Sequence, residues 1–328
     1  FQAEDGIRDT RTCLVGSEMC IRDSYDNSAG DDLNDADDWN IQGKLLWEPT
    51  DSLSILLSGN HIDRDTTCCA ADAIQSESVN DELAAQGFRP DKNDPYDYDV
   101  APGVDNSFEM ESDLLSMTID YDTGWGEIKS ITAWNDYDYS VTQDPDRSQL
   151  DVLTLRNDDF SGDSLSQELR LTASAGDNVD YMVGLFYYEQ TTKRGGNKPF
   201  VFIGDDFETI GNQQTFPPGT PFPPGNIGFV AQPGDNLVVD FEQDTDTIAV
   251  FSQATWHIGD SWHLTGGLRW SDEEKESDLF SQTNSTAISN ELLGISFLDS
   301  VSTPIDTNLD RSSDNVDWML RAAMDIGD

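Results

Sequence analysis

The spacing of its turns restricts the fold of this chain more than any other feature. Short runs of alternating apolar and polar residues are joined in turn by a tight connection and then by a long one. The long connections cover roughly residues 63–107, 140–163, 192–240 and 271–314. Connections in compact soluble domains usually have about four to six residues, whereas a transmembrane β-barrel has tight turns at one rim and long loops at the other. The spacing therefore predicts an all-β, antiparallel up-and-down barrel.

The alternation defines about nine predicted strands, arranged as four hairpins and one further strand. The hairpins begin near Trp39, Leu115, Leu165 and Val250, and the last strand begins near Asn315. The tight turns are expected at 49–52, 122–124, 176–178 and 259–260. A period of two predicts a strand whose two faces differ, and about ten residues let a tilted strand cross a bilayer.

Two positions leave this alternation unresolved. Leu46 breaks the pattern of the first hairpin. In the run 128–139, Ile131 and Ala133 have the opposite phase to Ile128 and Trp134, so either face of that strand could be the apolar one.

The charge balance excludes one class of partner. The chain has 64 Asp and Glu against 18 Lys and Arg, a formal net charge of −46. Such a charge repels nucleic acid, and we expect no nucleic-acid partner. The carboxylates suit a cationic or metal-bearing ligand, a divalent-rich surface or a salt-loving source, and equally a solvated surface without a specific partner.

The hydropathy excludes a helical membrane protein. No window approaches 18 consecutive apolar residues, and the mean hydropathy of −0.53 is compatible with a barrel, in which every second residue faces a polar lumen. Aromatic residues near the predicted strand ends would form two interfacial girdles, although aromatic residues favour strands in general. They are Trp39, Trp47, Trp125, Trp134, Tyr139, Tyr181, Tyr187, Trp256, Trp262 and Trp270.

Residues 1–24 differ from the rest of the chain. They have neither a helical nor a strand period, they contain Cys13 and Cys20, and they lack the basic start and apolar core of a secretory signal peptide. The string resembles the translated read-through of a sequencing-library adapter, and the alternative is a disulfide-stapled N-terminal arm. We therefore expect a non-native segment over 1–24 and a partial β-barrel over 25–328.

Four segments resemble consecutive barrel hairpins of TonB-dependent outer-membrane receptors. They read WNIQGKLLWEPTDSLSILLSGN, GEIKSITAWNDYDYSV, SLSQELRLTAS followed by YMVGLFYYEQ, and FSQATWHIGDSWHLTGGLRWSDEEKE. The most specific parts are SQELRL at 166–171 and GGLRW at 266–270. The resemblance spans about residues 25–328 and implies a barrel of about 22 strands. It also implies an internal fragment, since no plug domain, energy-coupling box or C-terminal strand of the family is visible.

The resemblance implies a function as well. A member of this family is a ligand-gated importer in the outer membrane of a Gram-negative bacterium, and it takes up a scarce nutrient such as a ferric siderophore without a cofactor. The implied partners are the TonB energy-coupling complex, reached through the missing N-terminal region, a small nutrient ligand and outer-membrane lipid. The alternatives are a passive outer-membrane porin and a secreted acidic all-β binding or adhesin protein.

Candidate ligand contacts lie on two parts of the chain. The alternation places seven polar residues on the strand face that points away from Leu169 and Leu268, where they would line the lumen. They are Asn40, Gln42, Lys44, Glu168, Arg170, Arg269 and Arg321. The cations Arg170, Arg269 and Arg321 are the candidate ligand-binding residues. The Pro-rich run 216–225 would expose Phe216 and Phe222 to an apolar or aromatic ligand, or it is simply a stiff loop.

The remaining reactive residues support no catalytic or metal site. Cys68 and Cys69 are a disulfide candidate, because an exported protein permits oxidation, and they have no CxxC partner for a metal. The Asp-rich runs do not fit a calcium loop, although a weak divalent contribution is left open. His61, His257 and His263 have no metal-ligand spacing and no nucleophile elbow occurs, so neither a metal site nor an enzyme is predicted.

Overall fold

The computed structural model is dominated by β-strands. No helix among the residues that it describes is long and apolar enough to cross a membrane. The described residues are 26–27, 33, 35–67, 75–90, 92, 94, 99–103, 106–196, 198–208, 210, 231–259, 261–287, 290–291, 296–300 and 304–326.

Among the described residues, nine long strands form one antiparallel meander. Each of them pairs with its neighbours along the chain, in the order β2-β3-β5-β6-β7-β8-β10-β11-β12. The short β9 pairs with β7 and β10, and β1 pairs with β4 in a separate two-stranded sheet. The up-and-down topology and the nine predicted strands are confirmed. The strands are β1 Asp26–Asn27, β2 Asp35–Thr50, β3 Leu53–Thr67, β4 Asp99–Val100, β5 Ser107–Asp122, β6 Gly126–Gln143, β7 Leu153–Ala175, β8 Val179–Arg194, β9 Pro199–Ile203, β10 Asn236–Ile258, β11 Trp262–Asn284 and β12 Ile305–Met324.

The tight turns are where the sequence places them, and glycine makes three of them possible. Gly124, Gly176 and Gly259 have φ angles of 83°, 66° and 62°, in the left-handed region that costs glycine little. In the first of these turns, the Asp122 carboxylate accepts the Gly124 N–H at 2.7 Å. These local hydrogen bonds close the hairpin within a few residues and fix the pairing of its strands.

The strands are longer than the alternation of the sequence suggests. The connection predicted over 140–163 is reduced to 144–152, because β6 continues to Gln143 and β7 begins at Leu153. Ten of the fifteen extra residues are polar. They weaken the apolar signal but still pair in the ladder, as Ser140 and Asp159 do. The predicted length of this connection was therefore wrong, since backbone hydrogen bonds extend the strands beyond their apolar part.

The ladder register divides the sheet into two faces. Directly opposed residues share a face, and one face carries rows such as Leu169–Leu185–Val250–Trp270. We call this the apolar face and its opposite the polar face. The register also resolves β6, because Ile128 and Trp134 share the apolar face with Leu171 and Leu165, while Ile131 and Ala133 lie on the polar face. Leu46 is on the polar face, opposite Leu56.

The apolar face changes character along each strand. On β8 the apolar residues run from Val179 to Tyr187, nine positions that span about 27 Å at roughly 3.4 Å per residue, and Glu189 follows. The apolar part, which we call the apolar band, matches the band of about 25 Å that outer-membrane barrels present to lipid. Beyond it lies what we call the acidic belt: Asp63, Glu111, Asp113, Asp136, Asp138, Asp163, Glu189, Asp244, Asp246, Asp272, Glu274, Glu276 and Asp314.

Side-chain exposure shows which way the sheet curves. On β10, Ile248 and Val250 of the apolar face are 50% and 47% exposed, whereas Ala249 of the polar face is fully buried. On β8, Leu185 is 52% exposed while its polar-face neighbour Gly184 is buried. Side chains crowd on the concave side of a curved sheet, so the polar face is the concave one. This is the curvature of a barrel wall whose lumen is polar.

The hydrophobic core lies outside the apolar band, among the long connections. One cluster packs Val201, Phe207, Leu237 and Leu298 together, and a second packs Leu83 of the helix α1 (Glu77–Gln86) against Leu150 and Ile210. We call the described residues of 75–103, 144–152, 198–235 and 285–300 the loop cap. These stretches were predicted as plain loops, but small apolar runs within them pack together across long sequence separations.

Candidate ligand-binding site

The seven residues predicted to line the lumen share the polar face. Lys44, Ser116, Ser166 and Tyr188 belong to one cross-strand row, and Asn40 and Gln42 belong to the neighbouring rows on the same strand. Glu168, Arg170, Arg269 and Arg321 also point away from Leu169 and Leu268. Their common face follows from the register, whereas their role toward a ligand stays a prediction.

The three candidate arginines do not converge on one point. Arg170 and Arg269 belong to one cross-strand row through Gly184 and Phe251, which separates them by about 14 Å across three strand spacings. Arg170 forms an ion pair with Glu168. The Arg269 guanidinium lies over the Phe251 ring at 5.8 Å.

Arg321 is further toward the short turns than the other two arginines. It lies on the polar face opposite Thr265, which is four residues along β11 from Arg269. The three cations are therefore distributed along the wall rather than gathered at one site.

A second group of polar-face residues is concentrated near the long-loop end. We call it the aromatic–arginine cluster: Phe108, Tyr137, Tyr139, Phe160, Arg194 and Phe200. Tyr139 stacks on Phe160 with ring centroids 4.7 Å apart and lies 5.6 Å from Phe108. The Arg194 guanidinium covers Phe160 at 4.9 Å and Phe200 at 5.2 Å. Five elements, β5 to β9, contribute to this cluster.

The cluster is held in place by charge-assisted hydrogen bonds. Arg194 donates from Nε and a terminal nitrogen to the two Asp158 oxygens at 2.8 and 3.2 Å, a bidentate pair that fixes the guanidinium plane. Lys198 donates to Asp159 at 2.6 Å. A cavity of about 430 Å³ borders the same strands, but most of its lining belongs to the opposite face, as with Asp138, Ser161 and Lys193. Stacked rings beside a fixed cation suit a small ligand with planar or anionic groups.

This cluster was not predicted from the sequence, and one of its members was assigned to the wrong face. Tyr139 was assigned to an interfacial girdle on the apolar face, but the register pairs it with Phe160 on the polar face. The alternation of Tyr137 and Tyr139 in the sequence was a usable signal, since it puts both rings on one face. The contribution of Arg194 depends on the β7–β8 register and has no local signal.

A loop of the cap is organised by two carboxylates. Asp144 accepts the backbone N–H of Gly103 at 2.6 Å and that of Arg147 at 3.0 Å. Asp146 accepts the hydroxyl of Ser148 at 2.7 Å and the backbone N–H of Leu153 at 3.1 Å. Burial, together with the charge of the nearby Asp144, raises the pKa of Asp146 to about 7. Burial also raises the pKa of Asp144.

One set of side chains in the acidic belt could hold a cation. His61 of β3 and Glu111 and Asp113 of β5 bring potential ligand atoms within 4.8 Å of one another, and His61 Nδ1 lies 2.8 Å from Asp113. The sequence analysis predicted no metal site there, because the three residues are separated along the chain and only the β3–β5 register joins them.

Several predicted residues lie outside the described part of the chain. These are the disulfide candidates Cys68 and Cys69, the loop aromatics Phe216 and Phe222, and the whole of residues 1–24. Their roles stay predictions.

Comparison with solved structures supports the architecture. The ferric yersiniabactin uptake receptor FyuA from Yersinia pestis matches with a TM-score of 0.60 at 18% identity, over 91% of this chain and 37% of that one. The ferric-catecholate import receptor Fiu from E. coli K12 matches with a TM-score of 0.53 at 16% identity, over 91% and 46%. The siderophore receptor PiuA from Acinetobacter baumannii matches with a TM-score of 0.54 at 15% identity, over 91% and 41%.

These structures share the fold of this chain, and the chain spans less than half of the length of each. A search of curated proteins found no match. The family model described as TonB dependent receptor-like, beta-barrel, matches residues 70–310, which include six of the nine long strands and the start of the last one. By this match, and by the meander with its apolar band and polar concave face, the chain belongs to the family of TonB-dependent receptor β-barrels.

Proposed function

We propose that this chain forms part of the barrel wall of an outer-membrane receptor in a Gram-negative bacterium, and that the receptor imports a small nutrient, with a ferric siderophore as the favoured ligand class. Its family and the apolar band support the membrane location, since lipid requires apolar side chains on one flank of every strand. Importers of this kind are not enzymes, and this proposal assigns no catalytic residue.

The observation that carries the ligand proposal is the aromatic–arginine cluster. Its rings lie on the concave polar face, at the end of the strands where a ligand from outside would arrive. Aromatic faces bind planar groups by stacking, and the fixed Arg194 guanidinium attracts anionic or electron-rich groups. The similar receptors FyuA and Fiu take up ferric yersiniabactin and import ferric catecholate, respectively, which favours the same chemical class here.

Energy coupling distinguishes this function from its nearest alternative. An active receptor needs the TonB complex, which we expect to be contacted by a part of the receptor outside this barrel portion. A passive porin needs no coupling. Uptake of radiolabelled iron should therefore be measured with ferric catecholate, hydroxamate and citrate complexes, in cells with and without TonB. Uptake of one class that requires TonB supports the proposal, and equal uptake in both strains contradicts it.

The cluster is tested by two variants and a matched control. Arg194→Ala and Tyr139→Ala should each weaken binding of the transported complex by about ten-fold to a hundred-fold, as expected for a lost contact to a charged group. Arg64→Ala is the control, because Arg64 lies in the same cross-strand row four strands away and pairs with Asp38 at 2.9 Å. An equal loss in all three variants would contradict a local role for the cluster.

A further inference from the structure

We propose that His257 and His263 form a site for a divalent transition-metal ion at the short-turn end of the polar face. The two residues are directly opposed on β10 and β11. Their Nδ1 atoms lie 2.7 Å apart, and the rings meet edge to face at 77°. The site lies at the far end of the strands from the aromatic–arginine cluster, so it is independent of the proposed ligand site.

Two carboxylates determine which ring nitrogens are free. His257 Nε2 lies 2.8 Å from an Asp180 oxygen, and His263 Nε2 lies 3.0 Å from an Asp325 oxygen. An ionised carboxylate can only accept a hydrogen bond, so each Nε2 carries the proton of its ring. In the neutral rings, both Nδ1 atoms then present lone pairs to the same point. Two lone pairs at this distance repel each other unless a cation lies between them.

The arrangement has the outer partners of a metal site. Histidine ligands commonly donate their second ring N–H to a carboxylate, which fixes the tautomer and orients the ligating nitrogen. Asp180 and Asp325 occupy these positions for His257 and His263. Asp180 belongs to β8 and Asp325 directly follows β12, so a bound ion would connect β8, β10, β11 and β12 at this rim.

The geometry needs little adjustment to accept an ion. Metal–nitrogen bonds of about 2.0–2.1 Å require the two nitrogens to be roughly 3 to 3.4 Å apart, slightly more than the 2.7 Å between them. The His257 and His263 side chains are 30% and 29% exposed, which leaves room for water or a further ligand. Two imidazoles favour Zn²⁺, Cu²⁺ or Ni²⁺ over Ca²⁺ or Mg²⁺, which prefer oxygen ligands.

Metal titration of the complete receptor tests this site. The protein should be purified in detergent without a histidine tag, stripped of metal, and titrated with ZnCl₂ and separately with CaCl₂ by calorimetry. We expect Zn²⁺ to bind with the same affinity in the wild type and in the double variant Thr255→Ala and Thr265→Ala. That control alters the neighbouring cross-strand pair on the same face, whose hydroxyl groups are 2.9 Å apart.

The histidine and aspartate variants separate metal binding from a structural effect. The double variant His257→Ala and His263→Ala should lose the Zn²⁺ heat, and Asp180→Asn should lower the affinity by about 10-fold to 100-fold. With Cu²⁺, the wild-type electron paramagnetic resonance spectrum should show coupling to two nitrogens.

Three outcomes would overturn the proposal. Failure of the wild type to bind Zn²⁺, Cu²⁺ or Ni²⁺ would mean that a shared proton joins the two rings. Undiminished binding in the double histidine variant would place the ion elsewhere. Loss of binding in His61→Ala, with the His257 and His263 variants unaffected, would assign the ion to the group of His61, Glu111 and Asp113.

Discussion

Gly184 and Leu185 are adjacent in the sequence and have opposite environments. Leu185 is on the apolar face and 52% exposed. A Cβ atom added to Gly184 would lie 2.3 Å from Phe251 Cζ, in a place that the phenyl ring already fills. The same ring is covered by the Arg269 guanidinium at 5.8 Å. The glycine is therefore needed to let Phe251 lie flat across the neighbouring strand.

Gly184→Ala should destabilise the protein by about 1–3 kcal/mol, the usual cost of overpacking a filled site. Gly266→Ala is the matched control, because a Cβ there meets no atom within 4 Å, and we expect it to change the stability by no more than about 0.5 kcal/mol. Guanidinium unfolding in micelles, followed by tryptophan fluorescence, measures both. Equal stability of the two variants would show that Phe251 moves without cost.

The raised pKa of Asp146 makes the stability of its loop depend on pH. The carboxyl group titrates at about 7 in the folded chain against an ordinary value of 3.8, so the folded loop retains a proton that the unfolded chain releases. Its stabilising contribution is complete below pH 3.8 and is lost as the pH rises through about 7. Limited proteolysis should therefore cut 144–152 faster at pH 8 than at pH 5.

Asp146→Asn provides the control for this pH dependence. The amide oxygen can still accept the Ser148 hydrogen bonds, whereas the amide nitrogen replaces the oxygen that accepts the Leu153 N–H. The variant therefore loses one hydrogen bond, and the group no longer titrates. We expect the cleavage rate of this variant to be nearly independent of pH, apart from the protease's own profile. A variant that keeps the wild-type profile would assign the effect to another group.

At the scale of the strands, the two-residue period decides which side chains face lipid and which face the polar lumen. Val183 and Met182 are consecutive on β8 and point to opposite faces, and their cross-strand partners on β10 are Ser252 and Gln253. Val183 lies near the middle of the apolar band, while Gln253 lies on the polar face. The two positions therefore compare lipid and lumen at similar depth.

Val183→Arg should destabilise the barrel in phospholipid vesicles by about 2–4 kcal/mol, because a cation at the bilayer midplane loses its hydration. Gln253→Arg should cost much less, since the polar face remains hydrated. Denaturant unfolding of the complete receptor in vesicles measures both. Equal costs at the two positions would contradict the assignment of the faces.

The strand ends show a limit of the alternation as a signal. β10 and β11 each extend for 23 residues, although their apolar alternation ends near Ile248 and Trp270. Beyond these residues the strands continue through the acidic belt, as in the pair Asp246 and Glu274. Pairing there depends on backbone hydrogen bonds, which side-chain patterns do not report.

At the scale of the whole molecule, the burial pattern is that of a barrel wall: the apolar face of the sheet is exposed, and apolar residues are buried mainly at the long-loop end. The large side chains of the apolar band stay exposed, as Trp318 does at 77%, while the buried apolar residues gather in the loop cap. A soluble protein with such an exposed band would aggregate.

We expect the complete receptor to sediment with outer membranes and to require detergent for extraction, because water cannot solvate the band favourably. Fractionation of cells that produce it, followed by extraction with salt, alkaline carbonate and detergent, measures this property. Recovery of a compact monomer in plain buffer would exclude the proposed importer, and it would favour a secreted acidic protein.

The sequence by itself determined the strands, the tight turns, the up-and-down order and the apolar phase of most strands. These properties are local, since a residue's face follows from its parity and a hairpin turn from a few neighbours. Only the tertiary structure decided the aromatic–arginine cluster, the facing pair His257 and His263, and the small cores of the loop cap. These contacts depend on strand register and on segments far apart in the chain, because a ladder shifted by one residue changes every partner.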